Sequence, residues 1–255
     1  MLSMKDCRIL VVGASAGIGR AVGMQAAAAG ARVVLAARRV DLLEEAVQSL
    51  AGASFLQCDV RRADDCLRVV SDAVEILGGL DAVVFAAGTS PLSKFYEADA
   101  ELWRTVFETN VIGAALVSQA ALPHLQLSSG RLLLLGSSSV GRPYPGLVPY
   151  VASKAALHEM ARGLRNEYPW LRVTLFVVGP TMTGFTDSWD QELIGEMFAR
   201  WEAEGYPAGA AAMEVTEMAD QIVHVLASGS RVEDVHVMPD PFNVDPATLV
   251  PLPGA

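Results

Sequence analysis

The sequence predicts an α/β fold, a doubly wound parallel sheet of about seven strands flanked by helices on both faces. Three observations carry this. Short apolar runs alternate with longer segments of helical spacing along almost the whole chain. The runs are near-continuously apolar, as strands buried on both faces must be. A glycine-rich turn joins the first run to the first helical segment, as in nucleotide-binding sheets. Repeated strand–helix alternation of this kind implies right-handed crossovers.

The strands expected in order are Arg8–Val12, Arg32–Ala37, Ser54–Gln57, Asp81–Ala86, Arg131–Gly136, Arg172–Val178 and Val235–Met238. Helices are expected near 17–30, 41–51, 63–78, 99–127, 149–167 and 215–228. Three segments interrupt the rhythm. Residues 136–149 are rich in Gly, Ser and Pro, which marks a loop. Residues 179–213 form a long insertion with its own short helix near 188–204, where binding elements are expected to gather. From Pro239 to Ala255 the chain is Pro-rich, so an irregular tail is expected. No repeat and no shift in composition marks a second unit, so residues 1–255 are read as one domain.

Composition narrows the class. Of 255 residues 52% are apolar and 19% charged, which excludes a largely disordered chain. Three cysteines, Cys7, Cys58 and Cys66, are too few for a disulfide framework and fit a reducing compartment. With 19 basic against 29 acidic residues the net charge is −10, which speaks against nucleic-acid and anionic-lipid partners. The start carries Lys5, Asp6 and Arg8 where a leader would be apolar, and Val111–Leu127 reads as a buried helix rather than a span. A cytoplasmic protein is expected. His124, His158, His224 and His236 lie far from any ligand-like spacing, so no metal is expected and they read as ordinary polar residues.

The turn Gly13-Ala14-Ser15-Ala16-Gly17-Ile18-Gly19 has the chemistry of a phosphate cradle. Glycines permit a tight turn and close backbone approach, and the helix N-terminus favours negative charge. Gly13, Ser15, Ala16, Gly17, Ile18 and Gly19 are therefore candidate cofactor contacts. The second strand ends in Arg38 and Arg39, with no acid before Asp41. A guanidinium there suits a 2′-phosphate, so NADP(H) is favoured over NAD(H).

Tyr150 and Lys154 lie four residues apart at the start of a helix and so share a face. A nearby ammonium favours phenolate and brings a phenol closer to general acid–base work. Just upstream, Ser137, Ser138 and Ser139 follow a Leu-rich strand and offer hydroxyls to a substrate oxygen.

These motifs together resemble the short-chain dehydrogenase/reductase family, over roughly residues 6 to 238. The resemblance rests on the glycine turn, Asp59-Val60, Ala87-Gly88, Asn110, the serines and the Tyr150/Lys154 pair, all in family order. It implies a Rossmann-type sheet and assigns roles. Tyr150 would exchange the proton with the carbonyl or alcohol oxygen. Lys154 would bind the nicotinamide ribose and lower the Tyr150 pKa. Asn110 would kink its helix and hold a water in a relay to Lys154. Asp59 and Val60 would contact adenine, Ala87 and Gly88 would pass the ribose, and Thr183 would meet the carboxamide within a cofactor-binding segment that includes Gly179 and Thr181. For the catalytic serine, spacing to Gly141 selects Ser138 and spacing to Tyr150 selects Ser137; Ser138 is favoured. The chain departs from the family pattern in Phe85-Ala86, where two asparagines are usual.

Trp189, Phe198, Trp201 and Tyr206 join Met182, Phe185 and Met197 in the insertion and read as a lid over an apolar pocket. The function expected is an NADP(H)-dependent oxidoreductase acting on a small-to-medium apolar ketone, aldehyde or alcohol. The resemblance further implies a homodimer or homotetramer. The rival readings are a non-catalytic dinucleotide-binding sensor or scaffold, and a dehydratase or epimerase on the same scaffold.

Overall fold

The computed structural model describes residues 4–48, 50–187, 189–206 and 212–239. The expected tail beyond Pro239, and positions 188 and 207–211 of the insertion, lie outside these.

In chain order the elements are β1 (Arg8–Val12), α1 (Gly17–Ala28), β2 (Arg32–Ala37), α2 (Val40–Gln48), β3 (Ala53–Gln57), α3 (Ala63–Leu77), β4 (Ala82–Phe85), α4 (Ala100–Phe107), α5 (Gly113–Ser128), β5 (Arg131–Ser137), α6 (Val148–Glu167), β6 (Arg172–Val178), β7 (Thr181–Met182), α7 (Gln191–Ala203), β8 (Met213–Glu214), α8 (Val215–Ala227) and β9 (Asp234–Val237). Seven strands form one sheet in the order β3-β2-β1-β4-β5-β6-β9. Every pairing is parallel. The order reverses between β1 and β4, and a crevice beyond the strand ends at such a point is where ligands bind.

Strand alternation sends side chains to two cores. Leu10, Val34, Val83, Leu132, Leu134 and Leu175 pack against α3, α5 and α6. Ile9, Val33, Leu35, Val84, Leu133 and Phe176 pack against α1, α2 and α8. Both faces of the central strands are therefore dry, which is why those runs are apolar at every position.

The helix expected over 99–127 is one continuous run interrupted by a π-turn at Glu108–Ile112. This run, Ala100–Ser128, is long and apolar enough to cross a membrane by length and composition. One side of it, through Val117, Ala121 and Leu125, sits in the core, while Ile112 and Leu127 are exposed. The insertion helix begins later than expected, at Gln191, because the Asp190 carboxylate accepts from the Glu192 and Leu193 amides and caps it there. The two-residue strands β7 and β8 pair with each other at the feet of the insertion, a contact the sequence pattern did not reveal.

Candidate active site

The glycine turn follows β1 and touches the segment after β4. Gly13 has φ +91°, and a Cβ on it would lie 2.3 Å from the Ala87 backbone nitrogen. Gly17 has φ +56°, and a Cβ there would stand 3.6 Å from the Thr183 side chain. Ala16 caps α1 without a side-chain hydrogen bond, so the cap side chain takes none of the first amides of the helix. These features fit a dinucleotide pyrophosphate: two closely approaching backbones, helix amides that no cap side chain takes, and Thr183 across from the cradle.

At the end of β2 the two arginines differ. Arg39 donates to the Ser15 hydroxyl at 3.0 and 3.2 Å and so braces the glycine turn. Arg38 is exposed, and its guanidinium has no hydrogen-bond partner among the described residues. Asp59 is clamped by Arg61 at 2.6 Å, which holds its carboxyl below the usual range. Val60 is buried beneath α5, beside Gly113.

Asn110 is fully buried in the π-turn. Its Oδ1 accepts from the Thr89 amide at 2.8 Å, and its Nδ2 donates to the Thr89 carbonyl and to Ser153 Oγ, both at 2.9 Å. Ser153 Oγ donates in turn to the Tyr150 carbonyl. Asn110 thus ties the segment after β4 to the first turn of α6. A Cβ on Gly88 would stand 3.6 Å from Asn110 Oδ1 and 3.8 Å from Lys154 Nζ, so the two side chains converge beside that glycine. Pro149 in the first turn of α6 presets the helical φ and places Tyr150 one turn before Lys154. In the insertion segment, Thr181 Oγ1 donates to the Gly179 carbonyl and shapes the turn that leads to Thr183.

Two expectations meet a different arrangement. The side-chain hydrogen bond that lowers the Tyr150 phenol comes from Ser137, the alternative, rather than from Ser138. Strand β5 runs one residue further than expected and ends on Ser137, while Ser138 opens the following short 3₁₀ turn. The expected lowering of the Tyr150 pKa by Lys154 is the second. Burial instead pushes the phenol up, opposed by the Ser137 hydrogen bond. The Lys154 ammonium lies 5.8 Å from the ring centroid and is spent on the Leu135 carbonyl at 2.8 Å. Burial lowers Lys154 itself to about 8.

His158, an ordinary polar helix residue by its sequence, also belongs here. Its Nε2 accepts the Ser137 amide at 3.2 Å, so Nδ1 carries the proton. Burial lowers its pKa to about 4, reinforced by Lys154, Arg162 and His236 and opposed by Asp234. The unfolded value is 6.5, so the unfolded chain binds more protons between these limits. The stability due to His158 is complete above pH 6.5 and is lost as pH falls toward 4. Urea unfolding at about pH 7 and about pH 5 should show a lower midpoint in acid. That drop should shrink in His158→Leu; an identical drop in the variant would refute the assignment.

A third apolar cluster sits beside Tyr150. Leu147, Val151, Trp189, Met197 and Trp201 form its buried part, with Tyr144, Tyr150, Phe198 and Tyr206 against it. The Phe185 ring meets Tyr150 at 5.4 Å. Trp189 Nε1 donates to the Ser90 carbonyl and Trp201 Nε1 to that of Pro145. The insertion is thereby pinned over the ends of β4 and β5. An open groove of about 490 Å³, lined by Phe95, Pro143, Tyr144, Val148 and Met197 among others, abuts this cluster. No cluster of three metal-ligating side chains occurs among the described residues.

The sequence pattern of the short chain dehydrogenases matches residues 8–194. An uncharacterized oxidoreductase of Staphylococcus epidermidis is 32% identical over 91% of this chain and 96% of its own. The 11-beta-hydroxysteroid dehydrogenase 1A of Arabidopsis thaliana is 35% identical over 62% of this chain; the match spans 47%, about half, of that relative's length. Among solved structures, an alcohol dehydrogenase from the archaeon Thermococcus sibiricus, complexed with 5-hydroxy-NADP, superposes with TM-score 0.78 at 26% identity, covering 90% of this chain and 94% of the other. With a sequence match that runs from β1 into the insertion helix, a fold superposing over nine-tenths of the chain and a glycine cradle beside the Tyr150/Lys154 pair, the chain belongs to the short-chain dehydrogenase/reductase family.

Proposed function

We propose that the chain is an NADP(H)-dependent oxidoreductase that interconverts a ketone or aldehyde and an alcohol on a small-to-medium apolar substrate. The observation that carries this is the convergence of Ser137, Tyr150, Lys154 and Asn110 beside the glycine cradle. The bound dinucleotide supplies or accepts the hydride.

The chain's own residues do the rest. Tyr150 gives its proton to the carbonyl oxygen, or takes one from the alcohol. Ser137 donates its one hydroxyl proton to the same oxygen. Burial opposes phenolate formation, and the Ser137 hydrogen bond works against that burial. Lys154, held on the Leu135 carbonyl, would meet the nicotinamide ribose. Gly13, Gly17 and the amides of α1 would hold the pyrophosphate, with Thr183 across from Gly17 on the insertion side. Phe185 and Trp189 shield the reacting centre from water and present an apolar wall, which favours an apolar substrate. The names of the steroid dehydrogenase and alcohol dehydrogenase relatives support the same substrate class. The exposed Ile112 and Leu127 on the α5 side give a second copy of the chain an apolar margin to cover, in keeping with a homo-oligomer.

The test is a panel of cyclic and aromatic ketones and aldehydes with NADPH and with NADH, followed by loss of the reduced cofactor. Turnover with NADPH supports the reading. Tight NADPH binding without turnover across the panel would favour a sensor, and substrate conversion without net cofactor loss a dehydratase or epimerase.

The cofactor preference rests on Arg38, whose guanidinium is free to meet a 2′-phosphate. Charge-assisted hydrogen bonds of about 1.5–3 kcal/mol correspond to about tenfold to a hundredfold in affinity. Arg38→Asp should therefore weaken NADPH by that factor and strengthen NADH, read by fluorescence titration. An unchanged NADPH-to-NADH ratio would exclude Arg38 as the determinant.

A further inference from the structure

Strand β4 stops at Phe85, paired with Leu134, whereas β5 continues to Ser137. Successive residues of a strand turn their N–H and C=O groups to opposite edges. The Arg131 amide donates to the Asp81 carbonyl, so the odd-numbered residues of β5 face β4. The early end of β4 therefore leaves two groups of β5 without a strand partner, the Leu135 C=O and the Ser137 N–H. Backbone groups in such a place must find partners elsewhere.

Both are met by one helix. Lys154 Nζ donates to the Leu135 carbonyl at 2.8 Å, and His158 Nε2 accepts the Ser137 amide at 3.2 Å. Tyr150, Lys154 and His158 follow at intervals of four, so they stand on one face of α6 about 6 Å apart along its axis. The imidazole reaches the strand because residue 136 has no side chain. A Cβ on Gly136 would come within 2.5 Å of His158 Nε2. Ser137 Oγ is also tethered to Ser139, through its Oγ at 2.8 Å and through the Ser139 amide, which donates to it at 3.3 Å.

We infer that His158 is a positioning residue for the reaction: it holds the Ser137 backbone where β4 no longer does, and so aims the Ser137 hydroxyl at Tyr150. The inference rests on the roles proposed above for Ser137 and Tyr150. The stripe on α6 is then functional over two full intervals, with the phenol, the ammonium and the imidazole acting on the reacting oxygen, on the strand carbonyl and on the strand amide.

The test compares His158→Leu, which keeps bulk and loses the acceptor, with His158→Gln, whose amide oxygen can accept in its place. The first readout needs no substrate: hydrogen exchange of the Ser137 amide, followed by NMR on the full chain. The Leu variant should lose about tenfold or more of the protection at Ser137, and the Gln variant should keep most of it. The second readout is turnover of NADPH with whichever carbonyl of the panel the wild type reduces best. The Leu variant should lower kcat about tenfold or more with little change in KM, as misaimed catalytic groups do, and Gln should restore it. Equal Ser137 protection in wild type and the Leu variant overturns the inference, as does an unchanged kcat. So does a Gln variant as impaired as Leu, since bulk rather than the acceptor would then be what matters. The proposed function itself fails on a different result, undiminished turnover in Tyr150→Phe. Loss of Ser137 protection in the Leu variant is read independently of that outcome.

Discussion

Tyr150→Phe should fold like the wild type, bind NADPH with similar affinity, and lose about a thousandfold in kcat. The ring would still pack against Phe185 and against the third cluster, so shape and shielding are conserved. Only the exchangeable proton is removed. General acid–base catalysis contributes about 10²–10⁴-fold, so a thousandfold loss corresponds to about 4 kcal/mol of transition-state stabilisation. Steady-state turnover on the best carbonyl substrate measures this, with NADPH titration and thermal unfolding as controls. A variant within about threefold of the wild type would mean that another group carries the proton.

Gly13→Ala should be the most destabilising small substitution in the glycine turn. A methyl there would approach the Ala87 nitrogen to 2.3 Å and the Ala86 carbonyl carbon to 2.6 Å, and both are backbone atoms held by the sheet. The positive φ adds about 1–2 kcal/mol for any residue with a Cβ. Together these imply a loss of about 3–5 kcal/mol, within the range reserved for strained or overpacked sites. Gly163 serves as the control, because a Cβ on it meets nothing within 4 Å. Being inside α6, it should tolerate Ala with a gain of up to about 1 kcal/mol. Urea unfolding of the two variants decides the matter: equal midpoints would show that the turn after β1 is looser than described.

Much of the architecture was legible because burial on both sheet faces writes itself into the sequence. The runs read at Arg8–Val12, Arg32–Ala37 and Arg172–Val178 coincide with β1, β2 and β6. Strands β7 and β8 were not legible, since two residues carry no periodicity. At the site, Tyr150 and Lys154 stood out because a helix fixes the meaning of a four-residue step. The choice between Ser137 and Ser138 could not be made the same way. Counting from Gly141 or from Tyr150 crosses an irregular loop, whereas the decisive fact is where β5 ends. Nor does the sequence say how far the phenol is desolvated, which reversed the direction expected for its pKa. His158 was silent for a further reason: its contact has a purpose only because β4 stops at Phe85, and no local pattern links residue 85 to residue 158.

The third apolar cluster has a consequence for how such a protein can change. It shares no buried residue with either of the cores that flank the sheet. Its tryptophans are tethered through their ring nitrogens to main-chain carbonyls, which any side chain at those positions would still present. On the proposed function, mutations at Met197 or Phe198 can therefore resculpt what is admitted while the strands keep their alignment, whereas Phe185, in contact with Tyr150, bears on admission and chemistry together. The part of selectivity that lies beyond Phe185 can drift without touching the sheet.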